Sequence, residues 1–283
     1  MSFLSDPVVQ TSLLPLLTAL VAAGVLGLVG GGDRGKRLAG GGAALAFLVT
    51  YAVILGWPAF PPQGAMAKTG WSLAAGLVLA LVIDAKRPLD RLGLILMAAW
   101  LAASALWIFA PVLKAPGGTD LLRFALWAMA AVLILRRLAS RGLDPAPAAL
   151  MGLHLSIALG AVALIGASAS IGQLGLAGAA TLGGFLLANW PKARHQPGAG
   201  LLLAAAGAPL LLALVLVQFG PARTPSWCLL AALPLLWADG VADRVGIANR
   251  ALRIVALGFL AALPMAVAVG LAFLVSPDAT SGY

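Results

Sequence analysis

The chain has 283 residues, of which 62% are hydrophobic and 10% charged, and its formal net charge is +9. Soluble domains contain about 45–50% apolar and about 25% charged residues, so this composition excludes an ordinary soluble globular protein. The basic residues are distributed in small groups over alternate turns and not clustered on one face with interleaved aromatic residues, which is not the pattern of a nucleic-acid-binding protein.

Ten apolar runs are close to the roughly 20 residues with which a helix crosses a hydrocarbon core about 30 Å thick. They predict an all-α polytopic membrane helix bundle in a single domain, residues 1–283. The alternating pattern of transmembrane strands is absent. No basic residue precedes the first run, so we interpret it as a retained span and not a cleaved signal. The predicted spans are 11–31, 38–57, 70–84, 92–110, 120–135, 146–166, 170–190, 199–219, 226–240 and 252–275.

The basic residues indicate the orientation of the bundle. Most of the 18 follow spans one, three, five, seven and nine, namely Arg34, Lys36, Arg37, Lys86, Arg87, Arg91, Arg136, Arg137, Arg141, Lys192, Arg194, Arg244, Arg250 and Arg253. The remaining four are Lys68, Lys114, Arg123 and Arg223. The positive-inside rule then places both termini outside the cytoplasm. We expect the basic turns to contact anionic lipid head groups.

Three turns on the opposite side combine aromatic residues, prolines and a basic residue. The first lies between Trp57 and Trp71, and related patterns recur at 107–120 and 218–227. Proline ends a helix, and aromatic rings of this kind lie at the level of the lipid head groups. We interpret these turns as interfacial anchors, with a ligand-binding rim as the alternative.

Two aspartates are candidates for a substrate site. Trp71 leads to Asp84 and Trp227 leads to Asp239 in similar sequences, so spans 2–4 and 8–10 resemble a parallel internal repeat. Chance similarity between Ala/Leu-rich helices is the alternative. At about 1.5 Å per residue, each Trp-to-Asp segment covers well under 20 Å, so either the tryptophans lie deep in the membrane or both aspartates lie below the head groups. Alternatively, both aspartates lie at the wet interface and pair with arginines.

His154 is the titratable side chain predicted to lie deepest in the membrane, about 15 Å into span six if the helix begins after Asp144. Its ring would act as a relay or ligand partner, or it would bond a backbone carbonyl or Ser156.

Pro209, Pro234 and Pro264 fall inside spans eight, nine and ten. Each frees a backbone carbonyl that neighbouring protein or water must satisfy. We predict a substrate-binding or gating role for them, with simple packing kinks as the alternative.

Two further patterns concern helix packing and enzymatic activity. The glycine-rich run at 170–184 predicts close helix packing. The run from Asp239 to Arg244 partly resembles the core motif of the membrane CDP-alcohol phosphotransferases. Leu236, however, stands where that family has an aspartate, and its later metal-binding carboxylates are missing. We therefore expect no catalytic residues, no metal and no cofactor.

These observations favour a permease-like carrier or flippase for a neutral or amphiphilic small solute, with its site between spans six and eight to ten. The alternative is a structural or assembly subunit that packs against a partner membrane protein. An enzyme acting on lipid is the third hypothesis. Arginine outnumbers lysine, and alanine and glycine are abundant, which is typical of high-GC bacterial coding and favours a bacterial cytoplasmic membrane.

Overall fold

The computed structural model describes residues 6–140, 142–221 and 225–276. Arg141 and Arg223, which contributed to the orientation argument, lie outside the described residues. Within this part of the chain, helices follow one another through short connections and no strand occurs. The helices are α1 (Val9–Gly30), α2 (Gly32–Leu55), α3 (Ala65–Lys86), α4 (Arg91–Leu113), α5 (Gly118–Ala139), α6 (Ala146–Ile165), α7 (Ala169–Ala188), α8 (Ala199–Phe219), a 3₁₀ segment (Ser226–Trp237), α9 (Ala238–Arg244) and α10 (Arg250–Val275).

Nine helices of the described residues, α1 to α8 and α10, are long and apolar enough to cross a membrane. They coincide with predicted spans one to eight and ten, so the prediction of an all-α polytopic bundle is confirmed. The predicted start of span three was wrong, because α3 begins at Ala65 and not at residue 70. This helix has 22 residues, or about 33 Å at the α-helical rise. Asp84 therefore does not lie at the end of a short segment.

The ninth span is not a regular α-helix. Its first 12 residues form the 3₁₀ segment, which contains Pro234, and seven residues of α9 follow. At about 2.0 Å per residue, the 3₁₀ segment alone covers about 24 Å, which is most of a hydrocarbon core. The short spacing between Trp227 and Asp239 is therefore explained by the larger rise of a 3₁₀ helix.

Contacts at both ends show that the 3₁₀ segment crosses the bundle. Near its start, Cys228 packs against Val162 and Ala272, close to the ends of α6 and α10. Near its end, the guanidinium of Arg137 at the end of α5 donates to the carbonyl of Leu236 at 3.0 Å. The segment thus runs along the bundle in the region of the predicted ninth span, and the count of ten membrane crossings stays a prediction.

One end of the bundle, here called the basic end, carries the turns that follow α1, α3, α5, α7 and α9. Hydrogen bonds connect the helix ends and turns at this end to one another. Arg37 Nε donates to the carbonyl of Asp84 at 3.2 Å, and the backbone N–H of Gln196 donates to the carbonyl of Lys36 at 3.0 Å. Which side of a membrane this end faces stays a prediction.

The opposite end, here called the aromatic end, carries the turns that follow α2, α4 and α8. The ring of Trp71 packs edge to face against Trp57 and Phe60, at centroid distances of 5.3 and 5.6 Å. Its indole N–H also donates to the carbonyl of Pro58 at 3.2 Å. These contacts hold the turn together, and its role as an interfacial anchor stays a prediction.

Helix α8 lies at the centre of the bundle, and nearly all of its residues are buried. Glycines allow its neighbours to approach closely. A Cβ on Gly200 would lie 2.5 Å from the Cα of Gly41 in α2, and a Cβ on Gly175 of α7 would lie 2.6 Å from the Cα of Gly160 in α6. The prediction of close packing at 170–184 is therefore confirmed.

Candidate functional site

A cavity of about 370 Å³ opens near the aromatic end, between α5, α6, α8 and the 3₁₀ segment. We call it the aromatic-end cavity. Small-molecule sites have volumes of about 300–1,000 Å³ and mostly apolar walls, so its size suits a ligand. The walls consist mainly of leucine and alanine side chains, together with Trp127 and Pro209. The cavity overlaps only part of the region predicted for a solute site: α6, α8 and the 3₁₀ segment line it, α5 is an additional wall, and α10 contributes only Val275.

Few polar groups reach this cavity. The indole N–H of Trp127 donates to the carbonyl of Leu210 at 2.8 Å, so it is already satisfied. The guanidinium of Arg123, in the second turn of α5, lines the mouth, as does Ser226 at the start of the 3₁₀ segment. Among the described residues, no carboxylate forms an ion pair with Arg123. The mouth therefore carries a positive charge above an apolar interior.

The three proline candidates occupy different environments. Pro209 is buried and lines the aromatic-end cavity. Pro234 is exposed on the flank of the 3₁₀ segment, and Pro264 is half-buried inside α10; neither lines the cavity. The structure thus brings one of the three predicted prolines to the cavity.

His154 is 8% exposed and does not line the cavity, although the next residue, Leu155, does. Its Nδ1 lies 2.8 Å from the carbonyl of Leu150, one turn earlier in α6. Since a carbonyl only accepts, Nδ1 carries the proton. The sequence left open a relay or ligand role and a hydrogen bond within the protein. The structure contains the hydrogen bond, and its acceptor is the carbonyl of Leu150 and not Ser156.

Asp84 is fully buried, and its carboxylate lies at the start of α8. One oxygen accepts from the backbone N–H of Ala199 at 2.7 Å, and the other accepts from that of Gly200 at 2.9 Å. The first N–H groups of a helix have no partner within the helix, so this carboxylate acts as a cap supplied by another helix. Asp84 therefore holds α3 to α8.

Asp239 has a different environment. Its carboxylate lies 3.4 Å from the guanidinium of Arg137, which also packs over the ring of Trp237. This pair connects the end of α5 to the start of α9. Pairing with an arginine was one of the two alternatives for this aspartate. Asp84 instead binds backbone amides and is not at the wet interface.

A second cavity, of about 240 Å³, lies near the basic end, where the ends of α5 and α8 and Ala148 of α6 meet Arg37 of α2 and the turns before α4 and α8. We call it the basic-end cavity. Both cavities use the same three helices, and on α8 Ala205 lines the second cavity whereas Pro209 lines the first. Four residues of helix correspond to about 6 Å. The cavities thus lie end to end along one seam.

The seam is closed by a contact between small residues. A Cβ placed on Gly152 of α6 would lie 2.5 Å from the Cβ of Ala205 and 2.6 Å from its Cα. Ala205 lies in a π-helical turn of α8, Leu203–Gly207, which precedes Pro209. Because Pro209 has no N–H, α-helical bonding is interrupted at this turn. Such turns are frequent at functional sites.

At the basic end, Arg250 connects three turns. Its guanidinium donates to both carboxylate oxygens of Asp144 at 2.8 Å, to the carbonyl of Asn189 at 3.0 Å and to that of Pro191 at 2.6 Å. Burial raises the pKa of Asp144, but the hydrogen bonds from Arg250 and Ala146 and the nearby positive charges outweigh it. The pKa therefore lies below its ordinary value of 3.8.

This pair predicts an acid-dependent part of the stability. The pKa of Asp144 is lower in the folded state than in the unfolded state. The ionised carboxylate therefore stabilises the fold fully above the unfolded-state pKa, and this stabilisation is lost as pH falls through the folded-state pKa. We expect Arg250→Gln to lower the free energy of unfolding by about 2 kcal/mol at neutral pH. Thermal unfolding is measured in detergent between pH 7 and 3. The variant should lose less thermal stability over this range than the wild type.

Arg87→Gln is the matched control, because the pair between Arg87 and Asp90 is longer, at 3.5 Å, and more exposed. Exposed pairs contribute little, so its unfolding curve should follow that of the wild type. Equal acid sensitivity of wild type and Arg250→Gln would contradict the assignment.

Compared with protein-family models and with curated protein sequences, the chain matches none. Among the described residues, no group of three or more His, Cys, Asp or Glu side chains is placed to hold a metal ion. Sequence reasoning missed Arg123, Gly152 and Ala205 as site residues. Only the position of Arg123, a single cation one turn into a helix on the less basic side, was a signal in the sequence.

Proposed function

We propose that this multi-pass membrane protein is a carrier or flippase for a small amphiphilic solute. The observation that supports this most directly is the end-to-end arrangement of two cavities along α5, α6 and α8. One cavity lies near each end of the bundle, and Gly152 contacts Ala205 at a level of α6 and α8 between the two. We also propose that the basic end faces the cytoplasm of a bacterium and contacts anionic lipids.

The π-helical turn of α8 is a point at which this helix can bend between the two cavities. A carrier exposes its site alternately to the two sides by moving one group of helices against another. At Leu203–Gly207 the backbone bonding of α8 is interrupted, so bending there breaks fewer hydrogen bonds than elsewhere in the helix. A bend that separates Ala205 from Gly152 would connect the two cavities.

The alternative, an assembly subunit, was based on glycine-rich faces that could pack against a partner. Several of these glycines contact helices of the same chain: Gly160 and Gly175 face each other, and Gly172 contacts Leu164. Those faces are therefore occupied within the bundle. A stoichiometric membrane partner that co-purifies with the chain would still favour the subunit hypothesis.

Transport is tested in proteoliposomes that contain NBD-labelled single-chain amphiphiles, namely a fatty acid, a fatty alcohol and a lysophospholipid. Dithionite added outside destroys the exposed label, so the slower phase reports movement across the bilayer. We expect wild-type vesicles to move at least one probe several-fold faster than protein-free vesicles. Ala130→Trp, which fills the aromatic-end cavity from α5, should remove most of this acceleration.

Ala125→Trp is the matched control, because Ala125 is an exposed alanine of the same helix that does not line the cavity. It should move the probes like the wild type. If no probe moved faster than in protein-free vesicles, or if both variants behaved alike, the carrier proposal would be abandoned in favour of the assembly subunit.

A further inference from the structure

The aromatic-end cavity opens sideways, towards the lipid. Leu126 of α5 and Trp227 and Leu230 of the 3₁₀ segment line the cavity and are also exposed on the flank of the bundle, with exposed fractions of 36%, 58% and 41%. In a membrane protein such a flank faces hydrocarbon. A hydrophobic chain therefore reaches this cavity from within the bilayer, without first passing through water.

The cavity is long relative to its volume. On α5 the lining residues extend from Arg123 to Ile134, a distance of about 16 Å along the helix. On the opposite wall, Trp227, Leu230 and Leu233 are three residues apart, and in a 3₁₀ helix side chains at this spacing are eclipsed. The wall is thus a straight ridge. The length of the cavity along α5 corresponds to about one leaflet of a hydrocarbon core roughly 30 Å thick. This length suits an extended hydrocarbon chain.

The charge lies at one end of this length. Arg123 is exposed at the mouth, and its neighbour Asp120, one turn earlier, accepts a hydrogen bond from the backbone N–H of Gly117 at 3.2 Å. No described carboxylate is within ion-pair distance of Arg123. Guanidinium binds carboxylate and phosphate oxygens through two parallel hydrogen bonds. Ser226 adds a hydroxyl at the same mouth.

We propose that the aromatic-end cavity binds a single-chain amphiphile with an anionic carboxylate or phosphate head group, whose head group is held by Arg123. The chain lies between α5 and the 3₁₀ segment, and the head group remains at the level of the aromatic end. This inference deepens the proposed function because it names the ligand class of the same cavity. Binding itself does not require transport.

Three probes with the same chain test the proposal: palmitate, monohexadecyl phosphate and hexadecanol. Their equilibrium binding is measured to the full chain in nanodiscs of zwitterionic lipid, with empty nanodiscs subtracted. We expect saturable binding of one anionic probe per chain, with a dissociation constant about tenfold lower than that of hexadecanol. Which anionic probe binds more tightly distinguishes a fatty acid from a phosphate ester.

Arg123→Gln should remove the preference for the anionic probes and leave the binding of hexadecanol unchanged. Lys114→Gln is the matched control, because Lys114 is an exposed cation at the same end that does not line the cavity. It should retain the full preference. Ala130→Trp should weaken all three probes, whereas Ala125→Trp should not.

Equal affinities of wild type for palmitate, monohexadecyl phosphate and hexadecanol would overturn the ligand class, and this comparison needs no variant to fold. Binding that does not saturate, or that survives Ala130→Trp, would overturn the site. Arg123-dependent binding without transport in proteoliposomes would refute the carrier and retain the ligand. Transport of the fatty alcohol alone would refute the anionic ligand class and retain the carrier.

Discussion

Replacing Asp84 with alanine is expected to lower the free energy of unfolding by about 3 kcal/mol, because two buried N–H groups lose their acceptor. The carboxylate accepts from Ala199 and Gly200 at the start of α8, where the backbone is buried. Unfolding by SDS titration in mixed micelles measures the loss. Asp84→Asn should give an intermediate value, since its amide oxygen replaces one acceptor and its NH₂ group faces the second donor.

Two further variants define this result. Gly198→Ala should also destabilise the protein, because a Cβ there would lie 2.6 Å from both carboxylate oxygens of Asp84. Asp33→Asn is the control, since Asp33 is an exposed aspartate at the same end whose partner is Lys36. It should leave the unfolding curve unchanged. Wild-type stability of Asp84→Ala would show that the carboxylate is not the cap of α8.

The second large effect is expected at the contact that closes the seam. Gly152→Leu should lower the free energy of unfolding by about 3 kcal/mol, because overpacking a close contact forces the helices apart. The nearest atoms belong to Ala205, and two of them, Cα and the carbonyl oxygen, are backbone atoms. They cannot be relieved by a rotamer change. If the carrier proposal holds, the same variant should also lose probe movement in proteoliposomes.

Gly270→Leu is the matched control for this prediction. Gly270 lies inside α10, is exposed, and would meet no described atom within 4 Å of an added Cβ. A leucine there faces lipid, and leucine is a better helix former than glycine. The substitution should therefore not lower the free energy of unfolding. Equal stability of the two variants would mean that α6 and α8 do not touch at Gly152.

Much of the fold could be predicted from the chain, because a membrane imposes a length and a composition on every helix that crosses it. The runs of span one and span ten, for example, correspond to α1 and α10 within a few residues. The end of α3 was similarly clear. Its start was not, because Ala65 to Thr69 are compatible with either a turn or a helix, and only packing against α2 and α4 decides between them.

Less of the site could be predicted. His154 was placed in α6 from the position of Asp144, but whether its ring faced a cavity depended on the rotation of α6 against α10. Pro209 was recognised as an interruption of α8, and the structure adds the π-helical turn and the cavity beside it. Arg123 was counted as one of four basic residues on the less basic side, without any sign that it lies above an apolar space.

The sequence by itself determined that the chain is a multi-pass helical bundle, where most of its helices lie, and which turns carry the basic residues. These properties depend on short stretches of residues and on the lipid solvent. Only the tertiary structure decided what Asp84 binds, because its partners lie 115 and 116 residues away. It likewise decided the 3₁₀ geometry of the ninth span and the two cavities, since both depend on how several helices pack together.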